Sequence, residues 1–516
     1  MSGFVHGLSD VAGQAAVRDS ADVVIIGSGA AGATAARVLT AAGLDVVVLE
    51  EGNPTPRDGF RQDAYSAFKG LWRDLGFTAA RGRVLMPILQ GRAVGGTTVI
   101  NGAIMHRLPE KVHAAWEHDG AIDDLLSYAG LERTFDQLDR ELSVGPAPDA
   151  VFGQNNALMH AGVTGIGAKG NRILRNVQDC EGSARCGQGC PNARKQSMHL
   201  TYIPQAVAAG ARVYAACRVS KVETRGGKAV AVLGEFRDPT GSARGPSIRV
   251  EAKRAVLLAA SAIQTPVLLQ KSGVRGGLVG RRFQAHPGTS VMGVFEDEVN
   301  MFFGATQGYE TTHFWDERMK FESVSVPAEI AATRLPGFGA PLQARLANVG
   351  HVAQWGVQVR AEAHGRVRPG LGGGSSVSYD LTPKDVARYR VGVRRLIEMM
   401  FAAGAKEVWP GVHGLPTTMT SPDQARALDA LDDDPRRYHF IAAHLFGTAA
   451  MHRDPRAGVV RPDGRCHAVD GLYVIDSSLF PTNLGVNPQH TICAIAWKIA
   501  ERIADGGTRG RERDAA

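Results

Sequence analysis

The 516-residue sequence predicts a mixed α/β fold, with one domain on a parallel sheet and a second on an antiparallel sheet. Three features carry this expectation. The apolar run Val23–Ile26 leads into a glycine-rich turn and a small-residue helix, and a second apolar run, Val46–Leu49, ends in Glu50. That strand–helix–strand order sets two strands side by side in parallel. The run Ala255–Ala260 is apolar throughout, as expected of a strand buried on both faces of such a sheet. Between about 291 and 420 the pattern loosens. Phe302, Phe303, Tyr309, Phe314, Trp315, Phe321 and Trp355 stand among polar alternations there, which suits an antiparallel sheet with helices on one face.

The first turn reads Gly27-Ser28-Gly29-Ala30-Ala31-Gly32. Gly27 permits a tight turn out of the strand, Gly29 lets the backbone approach a pyrophosphate, and Gly32 lets the helix lie close to the sheet. The helix start at Ala30 and Ala31 offers free N–H groups and a positive dipole end to phosphates. Glu50, at the spacing of about 20 residues typical of such sites, can accept from a ribose 2′-hydroxyl and would repel a 2′-phosphate. In this context the G-x-G-x-x-G turn reads as a Rossmann-like dinucleotide site.

A second glycine cluster follows at Gly91–Gly102, and residues 111–170 are helical in pattern and charged. Residues 212–259 become short β-rich runs split by turn signals at Gly226-Gly227 and Asp238-Pro239-Thr240-Gly241. Thr265-Pro266 is expected to open the next helix. A Gly/Ser stretch at 370–376 precedes a helix from about Lys384 to Ala403, and a last helix is expected near 491–504. These signals divide the chain into a discontinuous first domain, 18–290 with 430–510, and a second domain at 291–429 that would hold the substrate. Residues 1–17 and 506–516 are expected to be flexible termini.

The formal net charge of +7 is spread without a dense Lys/Arg block or interleaved aromatics, which argues against nucleic-acid binding. No basic, apolar secretory leader opens the sequence, and no run of about 18 apolar residues suggests a transmembrane helix. Six cysteines in this length argue against a disulfide scaffold and for a reducing, cytoplasmic compartment.

Further motifs appear in order. They are Gly91-Arg92-Ala93-Val94-Gly95-Gly96-Thr97-Thr98 to Asn101, Ser261-Ala262-Ile263-Gln264-Thr265-Pro266 with Ser272-Gly273, and Gly280-Arg281-Arg282-Phe283 with His286-Pro287. Near the end stand His444-Leu445-Phe446-Gly447-Thr448 to Met451, Asp470–Ser478 to Pro481, and Asn487-Pro488-Gln489-His490-Thr491. Together with the first turn they resemble the glucose–methanol–choline (GMC) family of FAD oxidoreductases over roughly 20–290 and 380–505. Residues 291–380 match weakly, and Met105 stands where many members carry an aromatic residue or alanine.

The resemblance implies a p-hydroxybenzoate hydroxylase-like arrangement of an FAD domain and a substrate domain. It implies FAD contacts from Gly27, Gly29, Ala30, Ala31, Gly32, Glu50, Arg92, Gly95, Gly96, Thr97, Asn101, Val219, Asp476 and Pro488; the competing reading of Asp476 is a turn or helix cap. No histidine lies in the Gly91–Asn101 loop where some relatives attach FAD, so noncovalent FAD is expected. Alcohol oxidation needs a hydride acceptor and a base, and histidine suits the base near neutral pH. His444 takes that role by resemblance, and Asn487 holds the alcohol oxygen. His490 is the second candidate base; His439 and His467 read as ordinary structural histidines.

Cys180, Cys186 and Cys190-Pro191 fall within eleven residues. Their spacing resembles a loop that holds a [3Fe–4S] cluster in certain GMC dehydrogenases, which relay electrons to a cytochrome or quinone. Packed thiols or one disulfide is the competing reading; zinc or [4Fe–4S] would need a fourth ligand. The expected function is oxidation of a small-molecule alcohol, bulky or partly apolar, with O2, a quinone or a cytochrome as acceptor. The alternatives are a dehydrogenase subunit with a small or haem-bearing partner, a flavin-containing lyase, and a non-catalytic electron-transfer subunit.

Overall fold

The computed structural model describes residues 5–55, 59–60, 63–238, 244–274 and 278–514. The strand Ala16–Ile26 ends in four fully buried residues and pairs in parallel with Val46–Leu49 on one side and Arg244–Leu258 on the other. A strand covered on both faces loses the polar half of its alternation, so it reads as an unbroken Val/Ile run. Arg212–Tyr214 continues the parallel order, and Leu472–Val474 joins from the far end of the chain. Two antiparallel pairings, of Cys217–Arg225 with Lys228–Arg237 and of the latter with Arg244–Leu258, make the sheet mixed. Among the described residues it has eight strands. The helices Ala30–Ala41, Tyr202–Ala208 and Gln489–Asp514 pack together beside it.

The first turn is built as its glycines require. Gly27 has φ +101°, and a Cβ there would lie 2.4 Å from the Ala259 carbonyl oxygen. At Gly32 a Cβ would come within 1.9 Å of the Gly27 oxygen, so the helix can sit this close only without a side chain.

The second sheet has eleven strands among the described residues, with Arg281–Val294 as its hub. That strand pairs antiparallel with Val352–Val359, Gly365–Pro369, Glu407–Trp409 and Ile441–Phe446. The helix Pro383–Ala402 covers it with Val386, Tyr389, Val393, Leu396 and Ile397, and starts at a capping box between Thr382 and Asp385. Each sheet has its own apolar core.

Several boundaries differ from expectation. The second sheet also takes Ile441–Phe446 and most of Arg281–Val294 from outside 291–429, with Ala79–Arg81, Met86–Pro87 and Asn171–Arg172, pieces too short to show a period of two. The described part of the amino-terminal arm is held in place. Val5–His6 extends the parallel sheet along Val213-Tyr214, and Val11 is buried. The last helix continues past Asp505 to Asp514. Residues 1–4 and 515–516, and the turn signal at Pro239–Gly241, lie outside the described residues. Among the described residues no helix is long and apolar enough to cross a membrane.

Pro266 does not open its helix, which begins at Ser261 and runs to Lys271. Proline has no N–H, so the Ala262 carbonyl four residues earlier loses its helical donor. The buried Thr448 hydroxyl donates to that carbonyl instead, at 2.7 Å. This explains a threonine at this place in the H-x-x-G-T block. Thr448→Val should cost about 1–3 kcal/mol by leaving the carbonyl unsatisfied, read as a lower urea midpoint, while Thr448→Ser should recover most of it.

Candidate active site

A cavity of about 790 Å³ runs between the two sheets. Gly27, Gly29, Ala30, Ala31, Glu50, Arg92, Gly96, Thr97, Asn101, Val219, Asp476 and Pro488 line it, with His444 and Asn487. Gly32 and Gly95 stand behind the wall and shape it. A Cβ on Gly95 would meet the His199 backbone nitrogen at 2.9 Å.

The nucleotide end is a cradle of backbone. Gly29 and Gly96 face each other so closely that a Cβ on Gly96, at φ +57°, would lie 2.7 Å from the Gly29 Cα. The Ser28 hydroxyl joins the two glycine loops, donating to Glu50 Oε2 at 2.7 Å and accepting from the Gly95 N–H at 2.9 Å. Burial raises the Glu50 pKa, against the pull of the Gly52 and Ser28 N–H donors. The helix N-terminus at Ala30 adds free N–H groups. An open glycine cradle, a helix start and an acid at the ribose position fit a dinucleotide such as FAD. Asp476 is a turn cap that also lines the cavity. Its carboxylate accepts from the Ser478 N–H, the Ser261 N–H and the Thr265 hydroxyl.

At the reacting end, His444 sits on a β-bulge. Ala285 pairs with Leu445 and Pro287 with Ala442, so Ala443 and His444 together oppose the single residue His286. A bulge turns a side chain out of the ladder, and Pro287 costs the ladder no donor at the interruption. His444 Nε2 lies 3.4 Å from Asn487 Nδ2. Burial first, then Lys320 and His106, push the His444 imidazole down to about 3, so it is neutral near pH 7. Asn487 Oδ1 accepts from Lys320 Nζ at 2.6 Å. The His286 ring meets His444 edge-on at 5.5 Å, and its Nε2 accepts from the Gly485 N–H at 2.8 Å. Burial and the adjacent His444 hold His286 well below the ordinary histidine value.

His490 is not at this end. It is buried on the last helix with Nε2 3.3 Å from Asp139 and does not line the cavity. His467 contacts the His452 carbonyl, whereas His439 lines the cavity wall. Of the apolar residues in the second domain, Val324 and Val326 reach the cavity, joined by Val357, Ile441 and Leu445. Phe321, Trp355, Tyr309 and Leu335 belong to the domain's own packing.

The iron–sulfur reading of the cysteine loop finds no support, although Cys180, Cys186 and Cys190 line one small pocket. Among the described residues no three His, Cys, Asp or Glu side chains converge to hold a metal ion, and all six cysteines are free thiols. Cys186 Sγ instead accepts from the buried Arg175 guanidinium at 3.1 Å, and Cys190 Sγ from the Arg194 N–H at 3.3 Å. Burial alone would raise the Cys186 thiol, but Arg175 and Lys195 bring it below its ordinary value.

Sequence reasoning missed Lys320, Glu310 and Glu322, which lie where the family pattern is weakest. The available signal was two opposite charges, Lys320 and Glu322, on the same face of a strand otherwise buried. His286 was in view within its motif but had no assigned role.

Family models described as GMC oxidoreductase match residues 21–288 and 375–496. A GMC-type oxidoreductase of Mycobacterium tuberculosis is 36% identical over 93% of this chain and 75% of its own length. One of Sinorhizobium fredii is 35% identical over 96% of this chain and 97% of its own. A long-chain-alcohol oxidase of Arabidopsis thaliana is 25% identical over 96% of this chain and 69% of its own. Among solved structures, pyridoxine 4-oxidase from Mesorbium loti aligns with a TM-score of 0.68 at 18% identity, covering 93% of this chain and 98% of that one. Formate oxidase of Aspergillus oryzae RIB40 aligns at 0.74 and 15%, covering 96% and 100%. Motif order, two-sheet architecture and these matches agree: the chain belongs to the GMC oxidoreductase family and is an FAD oxidoreductase acting on CH–OH groups.

Proposed function

We propose that this enzyme oxidises a bulky, partly apolar alcohol to a carbonyl compound, with His444 as the base and Asn487 as the partner of the alcohol oxygen. The observation that carries the reading is the His444–Asn487 pair, 3.4 Å apart in a cavity continuous with the dinucleotide cradle. Bound FAD supplies the hydride acceptor. His444 Nε2, neutral at physiological pH, takes the hydroxyl proton. The Asn487 amide donates to the same oxygen as negative charge builds there. Val324, Val326, Ile441 and Leu445 on the wall support an apolar body on the substrate, as does the likeness to a long-chain-alcohol oxidase. Noncovalent FAD is supported by the absence of histidine from the Gly91–Asn101 loop, and a reducing, cytoplasmic setting by six free thiols.

An alcohol panel scored by anaerobic bleaching of the flavin tests the reaction class. Loss of colour with an alcohol supports oxidation, and turnover without bleaching points to the lyase alternative. Repeating the assay with air, a quinone and a cytochrome assigns the electron acceptor. His444→Ala should slow flavin reduction by about 10²–10⁴-fold with FAD still bound; unchanged turnover would remove His444 from its role. Because the imidazole pKa is depressed, its base form persists on the acid side, so the acid limb of kcat/KM should lie well below the ordinary histidine value of 6.5. Gly96→Ala places a methyl group in the cradle and should weaken FAD binding by about 10–100-fold, the equivalent of about 1–3 kcal/mol of overpacking, read by flavin fluorescence on titration.

A further inference from the structure

We infer that Lys320 is a positioning residue for alcohol oxidation, fixing the Asn487 amide so that its NH2 group, and never its oxygen, faces His444 and the alcohol. The inference rests on the reading of His444 and Asn487 given above.

The cation's place follows from the sheet. Glu310 and Glu322 sit directly opposite each other on the antiparallel strands Tyr309–Thr311 and Met319–Ser323, both buried. Like charges at opposed positions repel, the more so where burial weakens solvent screening. Lys320 precedes Glu322 by two residues and therefore shares its face. Its ammonium lies 2.8 Å from Glu310 Oε2 and 2.7 Å from Glu322 Oε2. Burial would lower the Lys320 pKa, but the two carboxylates reverse that, and Lys320 in turn holds Glu310 below the usual carboxylate range.

An ammonium has three donors, and the third goes to Asn487 Oδ1 at 2.6 Å. The amide oxygen is thereby committed, and only the NH2 group remains to face His444 Nε2. Turning the amide over would set NH2 against the ammonium and leave a buried donor without an acceptor. The remaining carboxylate contacts hold this arrangement still. Glu322 Oε1 accepts from Gln307 and Gln358, and Glu310 contacts His106 and Asn171. A cation bonded to the amide oxygen also polarises the amide and strengthens its N–H as a donor. The consequence is a neutral side chain that acts on the alcohol oxygen as a donor only, as an oxygen gaining negative charge requires.

A double-mutant cycle tests this. Lys320→Met alone leaves two opposed buried carboxylates and can prevent folding, so the cation is removed together with one anion, as Lys320→Met/Glu322→Gln. Flavin reduction at saturating alcohol should slow by about 10–100-fold, short of the about 10²–10³-fold cost of losing a charge-stabilising donor outright, with KM changed less than about threefold. Combined with Asn487→Ala, the same pair of changes should cost less than about threefold, because the residue it acts through is gone. Calorimetric affinity for the carboxylate corresponding to the oxidised alcohol should fall by about tenfold in the Lys320→Met/Glu322→Gln protein and not fall further in the Asn487→Ala background. Equal losses in both backgrounds, or no loss in the first, would overturn the role of Lys320. A wild-type protein whose flavin no alcohol bleaches would instead overturn the proposed function.

Discussion

The approach of two backbones at Gly29 and Gly96 is the constraint on which the nucleotide end depends. The two loops are far apart in sequence, yet a Cβ on Gly96 would press against the Gly29 backbone. Each loop must therefore reach its turn without strain, which Gly27 and Gly96 do through positive φ. The Ser28 hydroxyl then ties the second loop to the first through the Gly95 N–H and Glu50. Contacts within the chain thus fix the cradle and Glu50, so little conformational entropy is left to lose on binding.

The reacting end uses a different device. A regular ladder would point alternate residues of Ile441–Phe446 to opposite faces, and the extra residue at Ala443-His444 breaks that alternation beside His286. His444 is held neutral by burial and by the nearby Lys320. The same ammonium is held in place by carboxylates that could not lie opposite each other without it. Buried ionic clusters of this kind are weak sources of stability, since desolvation offsets attraction. Their value here is directional, because the three donors of the ammonium go to Glu310, Glu322 and the Asn487 oxygen.

What the sequence displayed depended on how local each determinant was. The first turn, Glu50 and the helix Pro383–Ala402 are written in contiguous residues, and their placement followed from spacing. His444 and Asn487 were legible through motif order, but their meeting required the hub strand and its bulge, which no local period displays. Lys320 has no meaning until Glu310 and Glu322 are set opposite each other by strand register. Pro266 misled because a proline usually marks a helix start, and the hydroxyl that lets it sit inside the helix comes from Thr448, remote in the chain. The short strands Ala79–Arg81 and Met86–Pro87 carry too few residues for any periodic signal.

The cysteine loop shows how a motif can be chemically suggestive and mechanically explained. Lys195, fully buried five residues after Cys190, donates to the Val99, Asn101 and Cys186 carbonyls at 2.7, 2.9 and 3.0 Å. Arg175 does the same for the Gly102 carbonyl at 2.9 Å while touching the Cys186 sulfur. Both cations thus bind the end of the second glycine loop to the cysteine loop, and neither forms an ion pair with a carboxylate among the described residues. Small, polarisable thiols suit this place, because they fit a tight turn and can sit against a buried guanidinium. The cysteine loop therefore buttresses the backbone at Asn101, whose side chain meets Gln489 at the start of the last helix. Through that contact the middle of the chain is joined to the segment that carries Asn487.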